Sequence, residues 1–70
     1  MRYAVVIEQI GNNYSAYVPD LPGCIATGAS KTEVETLIHD AIAFHLAGLR
    51  EDGDAIPPPS SQVEYIDVAA

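Results

Sequence analysis

Residues Ser30 to Gly53 read SKTEVETLIHDAIAFHLAGLREDG, and this stretch decides the fold. Ser30 followed by Glu33 is a capping box, in which each side chain can satisfy a free amide of a helix's first turn. The spacing therefore predicts a helix that starts at Lys31. Val34, Leu37, Ile38, Ala41, Ile42, His45 and Leu49 fall on one side at helical period. Glu35, His39, Ala43 and Arg50 fall opposite. The helix should stop between Arg50 and Asp52, with Gly53 as its left-handed end residue. Gly48 lies on the apolar side, where it costs the helix about 1 kcal/mol relative to alanine. Its expected use is close approach of the helix backbone to a sheet.

The chain on either side of this helix reads as strands. Arg2 to Gln9 alternates, with Tyr3, Val5 and Ile7 on one face and Ala4, Val6 and Glu8 on the other. Gly11-Asn12-Asn13 is turn chemistry, and Tyr14 to Val18 is the return strand of a hairpin. Ile25 to Gly28 reads as a short third strand. After the helix, Ile56-Pro57-Pro58-Pro59-Ser60 is expected to be extended, and Gln62 to Val68 to form a last strand. The order is β-β-β-α-β, an α+β class. A right-handed crossover would put the last strand parallel to the first. That predicts a mixed four-stranded sheet, order 3-2-1-4, with the helix on one face. The first and last strands are apolar on both faces, as expected where both are buried. One helix covers one face, so a homodimer, or a tetramer built from dimers, is expected.

Composition narrows the function. Seventy residues make a single domain, 1–70, with little core to spare. The lone cysteine, Cys24, has no disulfide partner within the chain, and one Cys with two His is not a zinc ligand set. No apolar run approaches the roughly 20 residues of a membrane span. The N-terminus has no signal-peptide h-region, and a cytoplasmic location is expected. The net charge is −7, with only Arg2, Lys31 and Arg50 positive. That argues against direct nucleic-acid binding and suits a basic partner.

No catalytic, cofactor or metal site is expected. Cys24 has no sequence neighbour to lower its pKa and reads as a small buried apolar residue. His39 and His45 lie about 240° apart around a helix, so they cannot share a metal. His45 falls in the apolar stripe and reads as a core histidine. Glu8, Asp40 and Asp67 could in principle hold Mg²⁺ in a nuclease, but Asp40 should point to solvent and no convergence is evident. Glu51-Asp52-Gly53-Asp54 lacks the remaining ligands of a calcium loop.

The segment Tyr17 to Cys24, YVPDLPGC, completes the pattern. Pro19 ends a strand, and Pro22-Gly23 suits a type II turn with Gly at its positive-φ position. Together with Thr27 to Val34 (TGASKTEV) and Glu51 to Ser60 (EDGDAIPPPS), it resembles the HicB-like antitoxin family. Members carry a Y-x-P-D-L-P-G-C corner, a G-x-[ST]-x-x-E-A helix start and an E-D-G-x-x-[IL]-P-x-P-S helix end. Val34 departs from the commoner Ala. The resemblance implies a partial RNase H-like fold. It also implies an antitoxin of a type II toxin–antitoxin system that binds and neutralises a HicA-like toxin, a small basic ribonuclease. The further DNA-binding domain of many members is not expected here, nor is operator binding. Tyr17, Pro19, Asp20, Leu21, Pro22 and Gly23 are the expected partner-binding residues, with Asp20-Leu21 as an exposed tip between rigid prolines. The alternative is a stand-alone oligomeric module that binds a protein or small molecule without a toxin.

Overall fold

The computed structural model describes residues Met1–Ala70. β1 (Val6–Ile10), β2 (Asn13–Tyr17) and β3 (Ile25–Gly28) precede a single helix, α1 (Lys31–Glu51). The sheet is antiparallel, order β1-β2-β3. Ile10 pairs with Asn13 across the two-residue loop Gly11-Asn12. Gly11 has φ +60 and Asn12 does not share the positive sign, the type II′ pattern that suits strand twist. Register places Tyr14, Ala16 and Ala26 on the helix side with Ile7. Val6, Tyr17 and Ile25 line up across the opposite face.

The helix follows its end signals. Ser30 Oγ accepts from the Glu33 amide at 3.1 Å, whereas the reciprocal Glu33 contact is not made. At the other end Asp54 N–H donates to Leu49 O (2.9 Å) and Gly53 N–H to Arg50 O (3.2 Å), with Gly53 at φ +71. This is a Schellman ending, for which a left-handed glycine is needed. The helix packs chiefly on β3 and β2. Its buried positions are Val34, Ile38 and Leu46, joined by half-buried Ala41, Ile42 and Leu49. Leu46, absent from the expected stripe, takes a central place, while Leu37 is 39% exposed. Steps of four residues, Val34-Ile38-Ile42-Leu46, drift around the axis by about 40° each. The contact line therefore leaves Leu37 behind and reaches Leu46.

Two glycines exchange roles. A Cβ on Gly48 would meet nothing within 4 Å, so close approach is not its use. A Cβ on Gly28 would lie 3.1 Å from the Val34 backbone nitrogen, and there the helix start does press on the sheet. Gly28→Ala should destabilise by about 1–3 kcal/mol, the usual cost of forcing extra volume into a packed contact. Gly48→Ala should stabilise by up to about 1 kcal/mol. Urea midpoints of the two variants should move in opposite directions.

The expected fourth strand is not formed within the chain. Residues 54–70 carry no strand, and no backbone hydrogen bond joins Gln62–Val68 to β1. Tyr65, Ile66 and Val68 are 94, 81 and 79% exposed. The first strand is correspondingly short, starting at Val6 rather than Arg2. The physical reason is shared. Beyond Tyr17 the second strand turns away at Pro19, and on the other edge of β1 no strand lies alongside, so Arg2–Val5 have no ladder partner. Alternation in Gln62–Val68 records a fit to a pleated surface and does not itself supply an edge to pair with.

Candidate functional site: a double-turn corner and an acidic latch

Two consecutive β-turns build the corner after β2. Leu21 N–H donates to Val18 O (3.1 Å), closing a turn with Pro19 at its second position. Cys24 N–H donates to Leu21 O (3.1 Å), closing a turn with Pro22 second and Gly23 third. Gly23 has φ +82, which a type II turn requires at that place. Val18 N–H donates to Cys24 O (3.2 Å) across the base. The prolines preset φ and give up amides that have no acceptor here.

This geometry sends the corner's side chains in different directions. Leu21 is fully buried, against Ala16, Val18, Cys24, Val34, Ile38 and Leu46. It is not an exposed tip but the plug of the core. Cys24 is 4% exposed and unpaired, and burial pushes its thiol above the ordinary value of 9.0. That disfavours the thiolate, the form in which a cysteine attacks. Pro19, Pro22 and Gly23 are exposed, and Tyr17 is 40% exposed.

Asp20 has a partner that sequence reading missed. Ser60 and Ser61 donate both backbone amides to Oδ2, each at 2.9 Å. Their hydroxyls reach Oδ1 at 3.2 and 2.7 Å. One carboxylate thus ties the start of the C-terminal segment to the corner, 40 residues away in sequence. The Tyr3 hydroxyl, donating to Pro57 O, adds a second tie. The only signal in the sequence is the joint presence of D-L-P-G and P-P-P-S-S, which local reading treats separately.

The Ser61 amide, followed by its hydroxyl and the Ser60 donors, holds the Asp20 carboxyl below its ordinary 3.8. A group so lowered contributes above its unfolded value and loses that contribution as pH falls through the folded one. The latch is therefore complete at neutral pH and opens only below about pH 3.8. Hydrogen exchange at the Ser60 and Ser61 amides reads it directly. Protection should hold from neutral pH down to that range and vanish below it. Asp20→Ala should remove it at neutral pH, since it takes away the oxygen that accepts from both amides.

The remaining chemistry does not converge. No three His, Cys, Asp or Glu residues sit close enough to hold a metal ion. His39 Nδ1 lies 3.2 Å from Asp40 Oδ1 at the surface, and His45 is half-buried on the helix. Glu8, Asp40 and Asp67 are exposed on three separate segments. No helix is long and apolar enough to cross a membrane.

Beside the corner, register brings together an apolar row on the face away from the helix. Val6 pairs with Tyr17, which pairs with Ile25. Ile25 is 66% exposed and Ile10, farther along β1, 63%. Val6 and Ile25 escaped sequence reading as site residues because their alignment with Tyr17 depends on strand register.

A family model described as HicB-like antitoxin of bacterial toxin-antitoxin system matches residues 3–69. A UPF0150 protein of Helicobacter pylori is 43% identical over 52 residues, covering 74% of this chain and 72% of the relative. A UPF0150 protein of Thermoplasma acidophilum is 32% identical over 63 residues, covering 89% and 91%. An uncharacterized 14.9 kDa protein from the rep-hol intergenic region of Haemophilus phage HP1 is 35% identical over 66 residues. That match covers 94% of this chain and 50% of the phage protein, so the chain spans half the length of that relative. No solved structure matches. With the matched region running from the first strand through the corner and helix to the latched segment, the chain belongs to the HicB-like antitoxin family of bacterial toxin–antitoxin systems.

Proposed function

We propose that this protein is a non-enzymatic antitoxin that binds and neutralises a small basic ribonuclease of the HicA type in the cytoplasm. The observation that carries the reading is the family match over residues 3–69. Two features of the chain support it. The net charge of −7 steers a basic partner and disfavours direct contact with nucleic acid. The exposed corner residues Tyr17, Pro19, Pro22 and Gly23 adjoin the apolar row of Val6, Tyr17 and Ile25. A rigid turn beside apolar surface loses little entropy on docking. Asp20 and Leu21 serve this surface from behind, by latch and plug. The working protein is a homodimer, or a tetramer of dimers, with its sheet completed to order 3-2-1-4 at the free edge of β1.

Co-expression with the product of the adjacent reading frame tests the toxin assignment. A small basic protein should co-purify, and its ribonuclease activity should return when the antitoxin is removed. A neighbouring toxin that stays fully active in the presence of this protein would overturn the reading.

A further inference from the structure

A sheet of order β1-β2-β3 has two edges, and the chain treats them differently. On the β1 side, Ser61–Tyr65 lies beside Arg2–Val5 across a shared cleft. Glu8 adds a charge to that strand. The edge at β3 has no such cover. β3 pairs with β2 alone, in a register without a bulge, and Ile25-Ala26-Thr27-Gly28 holds neither a charge nor a proline. Charges, prolines, bulges and covering segments are the usual means by which an edge is kept from pairing with another chain.

The ladder fixes which main-chain groups stand free. Val18 N–H donates to Cys24 O, so Val18 and Cys24 face each other as a bonded pair. Bonded and non-bonded pairs alternate along an antiparallel ladder. Ala26 and Gly28 therefore turn their N–H and C=O groups toward Ala16 and Tyr14 of β2. Ile25 and Thr27 turn theirs outward, where no turn or loop of the chain bonds to them.

The side chains around this edge define the visitor. On the outer face Ile25 ends the apolar row that runs from Val6 through Tyr17. On the helix face Leu37 is left partly open. It lies about 160° around the helix from His39, which lines the groove against Val5 and Ile7. Leu37 is therefore on the β3 flank. A strand laid along β3 meets apolar surface on both of its faces. Glu33, packed against Gly28, and Asp40 stand one turn to either side of Leu37. No Lys or Arg falls between Lys31 and Arg50. This flank attracts a basic strand and repels a second acidic copy of the same chain.

We propose that the basic partner adds an extended strand, bearing lysine or arginine, to the free edge of β3, where Ile25 and Thr27 bond to it through both N–H and C=O groups. Main-chain bonds supply the hold, and Ile25 and Leu37 set the register. The proposal rests on the antitoxin reading and names the contact by which that partner is held.

The test is amide hydrogen exchange on the full chain, alone and bound to the small basic protein of the adjacent reading frame. Alone, Ala26 and Gly28 should be protected, while Ile25 and Thr27 exchange freely. In the complex, exchange at Ile25 and Thr27 should slow by about tenfold or more. Thr27→Pro removes an outward amide and none that serves the ladder, so the fold should stand. Its affinity for the partner should fall by about tenfold or more. If that variant does not fold, exchange in the wild-type complex decides alone. A complex in which Ile25 and Thr27 still exchange freely overturns the proposal and leaves the antitoxin reading in place. A folded Thr27→Pro variant that binds like wild type does the same. A neighbouring protein that does not bind the wild-type chain overturns both. Protection of Ile25 and Thr27 in the protein alone, rising with concentration, gives the edge to a second copy and overturns the proposal.

Discussion

Replacing Leu21 with alanine should cost about 3 kcal/mol or more, the range for a fully buried leucine whose cavity cannot collapse. Leu21 is completely buried in a core of only seven buried residues, between two turns whose hydrogen bonds fix its backbone. A 70-residue domain holds roughly 4–10 kcal/mol in all, so this one change should leave much of the isolated protein unfolded. Pro22→Ala, at an exposed neighbour, should cost under about 1 kcal/mol, chiefly through a looser unfolded chain. Urea denaturation of both variants decides the matter. A midpoint for Leu21→Ala close to wild type would mean that the corner is not the plug of the core.

The second large effect is on binding. Ile25→Arg should weaken binding of the proposed toxin partner by about 3 kcal/mol, roughly a hundredfold, the size of a hot-spot loss. Ile25 is 66% exposed and sits at the end of the row with Tyr17 and Val6, so the fold tolerates the change. The new charge both desolvates badly in an apolar contact and repels a basic partner. Tyr17→Arg should act in the same direction. Phe44→Ala, on the helix and 84% exposed, should leave affinity within threefold and serves as the control for surface hydrophobicity at large. Equal losses at Ile25 and Phe44 would show that the row beside the corner is not the docking surface.

Local signals carried much of this fold. The helix start at Lys31, its glycine ending at Gly53 and the third strand Ile25–Gly28 stand where caps and alternation put them. Each depends on hydrogen bonds within a few residues. The type II turn at Pro22-Gly23 was legible for the same reason. The helical stripe was legible only to within one residue row: the choice of Leu46 over Leu37 depends on how the helix lies on β2 and β3, and periodicity does not contain that placement.

By itself, the sequence determined the order of secondary elements up to Glu51, the type II turn at Pro22-Gly23, the acidic charge and, through its three motifs, the family. Only the tertiary structure decided what the corner's side chains do. It turned Leu21 inward and closed the Asp20 carboxylate with Ser60 and Ser61. It also aligned Val6, Tyr17 and Ile25 across three strands, and left Gln62–Val68 unpaired although β1 has a free edge. The reason is range. Caps, turns and alternation are set by neighbours a few bonds away. Burial, register and strand pairing are set by residues tens of positions distant, which local alternation does not contain.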